Sequence, residues 1–357
     1  MRQPANHILN GIASLILAIC LGACDVHEFP CDDAPTDVEC EVEVEINFDL
    51  EDMPWLTTIE YEADGSTRQI DTRSGSEAYD FRYQLFVFDG IANPSRTPVK
   101  KLTFTSSDLS NLSRTFRMRL KPGDYTVRVW ADFVDHGSQS DKFYDTFDLT
   151  AITVKTDPNG DTYGCEHHRN AFLGTTTLSV PEEAFLYVGS DRKDGVYVVR
   201  ARCDMDRPLA RFEFQTTDIR KFLGDRLSPE EEDERLAQYT ARVRYAGYMP
   251  SKFNLYTDRP VDAWLGMGFN SPISRLDDDS ASMGFDYVFV GNADTSVELA
   301  LDIYDNEGTK IASTDPINVP LRRNHYTLIR GDFLTAEAHG GVGIDPEFSG
   351  EYNIEIH

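Results

Sequence analysis

"RTFRMRLKPGDYTVRVWADFV", Arg114 to Val134, is the stretch whose reading decides the fold. Phe116, Met118 and Leu120 alternate with polar neighbours, and after Lys121-Pro122-Gly123-Asp124 the alternation resumes at Tyr125, Val127, Val129 and Ala131. A period of two marks a strand with one face buried. Pro followed by Gly suits the central positions of a type II turn. The unit therefore reads as a β-hairpin, and the segments around it repeat the habit.

Upstream, "VEVEINFDL" (Val42 to Leu50) places Val42, Val44, Ile46, Phe48 and Leu50 on one face, and "FRYQLFVFDG" (Phe81 to Gly90) stops at Asp-Gly. Downstream, strands are expected over Phe147 to Val154 and in "FLYVGS" and "GVYVVRARC". A second series begins at Arg207 with "RPLARFEFQTTD" and continues through "YTARVRYAGYMPSKFNLYTD", "GFDYVFVG", "TSVELALDIYDNEGTKIAS" and "RRNHYTLIRGDFL". Between them "TTDIRKFLGDRLSPEEEDERLA" is the one helical stretch, with Asp218 as cap, Ile219, Phe222 and Leu223 at helical spacing, and Gly224 as stop. Short strands in two series predict an all-β chain of two tandem β-sandwiches, with a short helical insertion in the second. The expected boundaries are 41–205 and 206–357. Tyr125-Thr126 with Asp132-Phe133, and Tyr326-Thr327 with Asp332-Phe333, occupy matching places in the two halves and suggest an internal repeat.

The N-terminus sets the compartment. "GIASLILAICLGA", Gly11 to Ala23, carries no charge but is shorter than the roughly 20 residues of a bilayer span. Arg2, the apolar run and small residues before Cys24 have the anatomy of a secretory signal, so residues 1–23 are expected to be removed. Leu21-Gly22-Ala23-Cys24 resembles the bacterial lipobox at every position, which implies lipidation of Cys24 and cleavage just before it. Residues 24–40, acidic and unpatterned, then read as a tether.

With 34 basic and 61 acidic residues the formal charge is −27, a field that repels phosphate backbones and argues against nucleic-acid binding. It also repels anionic lipid surfaces, leaving attachment to the acyl anchor. Of six cysteines, Cys20 leaves with the signal and Cys24 takes lipid; Cys31, Cys40, Cys165 and Cys203 remain for an oxidising compartment. Proximity favours Cys31–Cys40 and Cys165–Cys203 among three possible connectivities. "CEHH" sets His167 and His168 beside Cys165, but adjacent side chains on an extended segment face opposite ways and no second cysteine follows at zinc-ligand spacing. No metal or cofactor is expected.

No nucleophile elbow, zinc-protease motif, P-loop or dinucleotide fingerprint occurs, so an enzyme is not expected. "HGGVG" (His339 to Gly343) lacks the strand-turn-helix context of a phosphate site, and the acids of Asp277–Ser280 and Asp302–Gly308 lack EF-hand spacing. Trp130 and Trp264 read as packing residues, whereas Trp55 is free to be exposed.

The lipobox cysteine followed by "DVHEFP", then "PGDYTVRVWADFVD", "GYMPSKFNLYTDRP" and "GGVGIDPEFSGEYNIEI", resembles an uncharacterised family of Bacteroidales lipoproteins. That family is similar in layout to the FimB-type fimbrial anchor and assembly lipoproteins of the fimbrillin superfamily. The resemblance implies transthyretin-like or Ig-like sandwiches and an outer-membrane, cell-surface location. It also implies fimbrial subunits or other surface proteins as partners, engaged by strand addition. The tail alternates Tyr352, Ile354 and Ile356 with Asn353 and Glu355, and reads first as the last strand of its own domain. Asp279-Ser280-Ala281 matches the short O-glycosylation pattern of related bacteria, making Ser280 a candidate. The expected function is a non-enzymatic fimbria-associated or adhesive lipoprotein; the alternative is a glycan-binding accessory lipoprotein of a nutrient-uptake system.

Overall fold

The computed structural model describes residues 39–48, 57–61, 67–71, 78–182, 198–224, 227–335, 342–344 and 351–356; for 57–61, 67–71, 342–344 and 351–356 the backbone alone is described. The signal-like segment, Cys24, Cys31, Trp55, "FLYVGS" and nearly all of the tether lie outside these residues.

The first half contributes β1 (Cys40–Phe48), β2 (Thr57–Tyr61), β3 (Thr67–Asp71), β4 (Tyr79–Asp89), β5 (Lys100–Ser106) and β6 (Arg114–Leu120). It continues with β7 (Gly123–Asp135), β8 (Tyr144–Asp145), β9 (Ile152–Val154), β10 (Ala171–Val180) and β11 (Val198–Met205). After β12 (Leu209–Thr216) come the helices α1 (Ile219–Leu223) and α2 (Pro229–Leu236). Strands β13 (Thr240–Tyr245), β14 (Met249–Asn254), β15 (Arg259–Trp264), β16 (Gly268–Pro272), β17 (Ser274–Arg275) and β18 (Ala281–Phe289) follow. The last are β19 (Thr295–Tyr304), β20 (Lys310–Ser313), β21 (Ile317–Leu321), β22 (Tyr326–Gly331), β23 (Val342–Ile344) and β24 (Glu351–Ile356). The protein is all-β with a small helical insertion, as its period-two patterning requires.

In the first half a sheet ordered β11–β1–β6 faces one ordered β10–β7–β4–β5. The alternation of β1 does what it predicts: Val42, Val44 and Ile46 are fully buried. Phe48 packs edge-on against Phe81 of β4 at 5.8 Å and Phe172 of β10 at 5.3 Å, across the gap between the sheets. Strand β1 lies parallel to β11, with Ile46 opposite Cys203, and antiparallel to β6, with Val44 opposite Phe116.

That pairing corrects the hairpin reading. Strand β6 is laddered to β1, whereas β7 is laddered to β4 and β10, so Lys121–Asp124 carries the chain from one sheet to the facing one. Gly123 has φ 152°, far from the roughly +80° of a type II turn. The Tyr125 hydroxyl donates to the Lys121 carbonyl at 2.9 Å, the bond that pins a tyrosine corner where a sandwich strand turns over. Alternating residues look the same whether the next strand lies beside them or opposite them. The second half makes the same crossing: β21 belongs to the sheet of β19 and β22 to the sheet of β12. Thr126 and Thr327 both donate from these places to main-chain carbonyls, of Gly90 and Pro320.

The second half stacks β17–β18–β12–β22–β24–β23 on β16–β13–β19–β20, with β21 also on β19. Ala210, Phe212 and Phe214 of β12 point into the core with Val243, Leu299, Leu301 and Ile329. The tail strand β24 joins its own sheet, parallel to β22. The helical stretch divides in two. Asp218 precedes α1 but makes no side-chain cap; its carboxylate instead accepts from Thr216 and from the N–H groups of Leu334 and Thr335. Ser228 and Glu231 form a capping box on α2, a start signal the sequence reading passed over.

A further sheet, β15–β14–β9–β8, joins the halves: Ile152 of β9 lies opposite Phe253 of β14. The strand expected over Phe147 to Val154 shrinks to β9, because Asp145 and Asp148 accept the N–H groups of Phe147 and Thr150 and hold that stretch as turns.

Candidate functional site: the junction loop

The loop 155–170 between β9 and β10 carries "CEHHRN" and places nearly every side chain of that hexapeptide against a different partner. Cys165 takes a left-handed φ of 60°, its N–H donates to Phe285 O, and its thiol lies 3.2 Å from Ser271 Oγ. His167 stacks on Phe285 of the second half at 4.5 Å, while His168 stacks on Tyr79 at 4.5 Å and meets Phe133 edge-on at 5.0 Å. The two imidazoles therefore pack against opposite halves, but from a turn, with Arg169 N–H donating to Glu166 O at 3.1 Å, and not from the extended segment the sequence pattern suggests. Glu166 accepts from Tyr79 at 3.1 Å and lies 2.9 Å from His168 Nδ1.

Arg169 closes the junction. Its guanidinium is buried against Asp286 of β18, which also accepts from Tyr245 at 2.8 Å and Thr162 at 3.1 Å. Burial opposes a charged guanidinium, but Asp286, Tyr144 and Tyr245 more than offset it and raise the Arg169 pKa. Burial, then Asp286, pushes the Tyr245 hydroxyl far above its usual value. Asn170 donates to His167 O at 3.0 Å and to Tyr287 at 3.3 Å. Beside this cluster Arg211 stacks on Phe285 at 4.1 Å and pairs with Glu213 at 2.7 Å. Burial, helped by Arg211, depresses the His167 pKa to about 4. These groups are held neutral or paired by one another, which is the chemistry of a clamp.

Among the described residues no three His, Cys, Asp or Glu side chains come together in a group that could hold a metal. The acid-rich turns serve their own backbone: Asp277 accepts from Asp279 and Ser280 N–H groups, and Asp305 from Glu307 and Thr309. Trp130 is fully buried and Trp264 touches both cores. No helix among the described residues is long and apolar enough to cross a membrane.

The expected Cys165–Cys203 disulfide is not formed. Cys203 points into the first sandwich, where a Cβ on Gly174 would sit 2.6 Å from its sulfur, whereas Cys165 faces Ser271 of the second half. Burial pushes the Cys203 thiol up to about 12 and also raises Cys40, the buried first residue of β1. Cys40 is a free thiol here, and its expected partner Cys31 lies outside the described residues. Ser280 is 4% exposed, so a glycan could reach its hydroxyl only before the chain folds or during local opening. The sequence reading missed Arg169, Asp286 and Tyr245; a buried arginine leaves no local signal because its partner is remote in the chain.

Sandwich sheets joined by a polar junction define an all-β, β-sandwich protein. A model of the family of unknown function DUF6562 matches residues 35–357, and the chain belongs to that family. No curated protein matches it. Among solved structures, a candidate cell adhesion protein from Bacteroides eggerthii is 11% identical over 89% of this chain and 95% of its own, with a TM-score of 0.43. A candidate polysaccharide-binding protein from Bacteroides thetaiotaomicron is 12% identical over 77% and 80%, with a TM-score of 0.41. The fimbrial anchor protein Mfa2 from Porphyromonas gingivalis is 12% identical over 77% and 82%, with a TM-score of 0.36.

Proposed function

We propose that the chain is a non-enzymatic cell-envelope lipoprotein, anchored in the outer membrane through Cys24, outward-facing, and fimbria-associated or adhesive. Its units are the sandwiches 41–205 and 206–357, and it works through protein–protein contacts such as strand addition. The observation that carries this reading is the junction of a lipobox to a fold with open sheet edges. The first strand begins at Cys40, a short acidic stretch after Cys24. Among the described residues no strand ladders onto the outer edges of β5 and β6, which end sheets in the first half, and such edges bind extended segments of other chains.

The test is fractionation of cells expressing the chain and its Cys24→Ala variant, followed by pull-down from intact cells. Membrane retention that is lost in the variant, with surface subunits recovered alongside the unaltered chain, supports the reading. A protein that stays soluble, or that is isolated alone, overturns it.

A further inference from the structure

The open side of the first sandwich has a chemistry unlike the rest of the molecule. Residues 96–121 hold seven basic residues and one acid, Asp108, in a chain where acids outnumber bases 61 to 34. They form β5 and β6, which end their respective sheets on the same side of the sandwich. Two cations bridge the gap between these edges. Lys100 Nζ donates to Arg119 O at 3.0 Å, and at the other end Arg114 Nη2 donates to Ser106 Oγ at 3.3 Å and Asp108 O at 3.2 Å.

Between those posts lies an aromatic floor. Phe104 stands opposite the buried Tyr83, on the inward face of β5, yet it is 46% exposed. Its ring lies 6.1 Å from Phe116 of β6 and 6.2 Å from Tyr83. Val99, just before the strand, is exposed as well. An inward-facing phenylalanine left half in water marks a place where the described residues do not close the sandwich. From Lys100 to Ser106 the window spans six strand steps, or about 20 Å at the usual rise per residue. Lysines on an edge ordinarily discourage pairing; here Lys100 turns across the gap and leaves the ring uncovered.

We propose that this window docks an extended segment of a partner protein that alternates acidic and apolar side chains. Arg117 and Arg119 are already paired with Glu43 and Glu41 of β1, and Arg114 lies 3.6 Å from Asp108. The partner's carboxylates would therefore meet Lys100 first and compete with Asp108 for Arg114, while its backbone would ladder onto the outer edge of β5 or β6 and its apolar side chains would cover Phe104 and Phe116. The inference rests on the strand-addition reading and names the chemistry of the partner.

The experiment uses the full chain in detergent and a blocked, fluorescent peptide alternating glutamate and valine, with a lysine–valine peptide as its counterpart. Fluorescence anisotropy is expected to show binding of the acidic peptide only, weakened by salt. Phe104→Ser, with an unchanged melting temperature, lowers affinity about tenfold, the equivalent of ~1.4 kcal/mol. Arg114→Glu shifts preference toward the lysine peptide. Equal binding of both peptides, no binding, unaltered affinity in Phe104→Ser, or competition by plain polyglutamate at equal strength would each overturn the proposal. Peptide binding with no surface partner recovered from cells defeats the adhesive reading alone; the reverse result defeats the window alone.

Discussion

Arg169 and Asp286 lie 117 residues apart and form an ion pair in which both side chains are essentially withdrawn from water. One comes from the loop after β9 and the other from β18, so the pair ties the first sandwich to the second. Tyr245 and Thr162 complete the shell of the carboxylate. Among the described residues Arg169 Nε and Asn170 Oδ1 are buried without a hydrogen-bond partner, so the pair itself adds at most modestly to stability, but removing one member leaves the other charged and unmatched.

Asp286→Asn is therefore expected to cost about 3–5 kcal/mol, read as a lower urea midpoint. The double replacement Arg169→Met with Asp286→Leu should recover much of that loss. A single substitution costing no more than a surface mutation would show that the pair does not join the halves.

Gly174 of β10 offers a second test. A Cβ there would lie 2.6 Å from Cys203 Sγ, 2.8 Å from Met205 Sδ and 2.9 Å from Asp204 O. Gly174→Ala is expected to destabilise by about 1–3 kcal/mol through overpacking, measured by thermal melting; Gly291→Ala, where the backbone is not left-handed and an added Cβ would come no nearer than 3.6 Å to Arg259 and Pro260, serves as control for added side-chain bulk.

Stability should fall with acid through a window set partly by His167. Its folded pKa of about 4 lies below the ordinary imidazole value of 6.5, so between these values the unfolded chain takes up a proton that the folded chain refuses. Stability from this group is complete above about pH 6.5 and is lost as pH falls toward 4. Arg211 and His168 oppose protonation, and Glu166 and Glu213 favour it. His167→Gln should flatten the slope of stability against pH between 4 and 6.5; an unchanged slope would remove His167 from the account.

Non-reducing peptide mapping should find Cys165 and Cys203 unlinked. Native protein should alkylate slowly at Cys203, where burial holds the thiol protonated, and promptly once unfolded. A Cys165–Cys203 crosslinked peptide would contradict the structure.

Strand content was legible wherever one face meets a core and the other meets water. Val42, Val44, Ile46 and Phe48 of β1 alternate in sequence and in burial alike. Strand β12 reads differently because both its faces are covered, Phe212 by the second core and Arg211 and Glu213 by the junction. The crossing at Pro122-Gly123 escaped because strand alternation carries no information about which sheet a strand joins. The tyrosine corner was the one local clue, Tyr125 four residues beyond Lys121. The clamp of Arg169 and Asp286 was not readable at all, since each residue taken singly resembles an ordinary surface charge.

Strand β1 is bonded on both sides, parallel to β11 and antiparallel to β6, and it is the first of the described strands. Under the proposed Cys24 anchor, a pull from the N-terminal side would reach β1 before any other described strand. Both ladders must then slip together instead of opening one bond at a time. The proposed anchor would thus load a strand that is laddered along both of its edges.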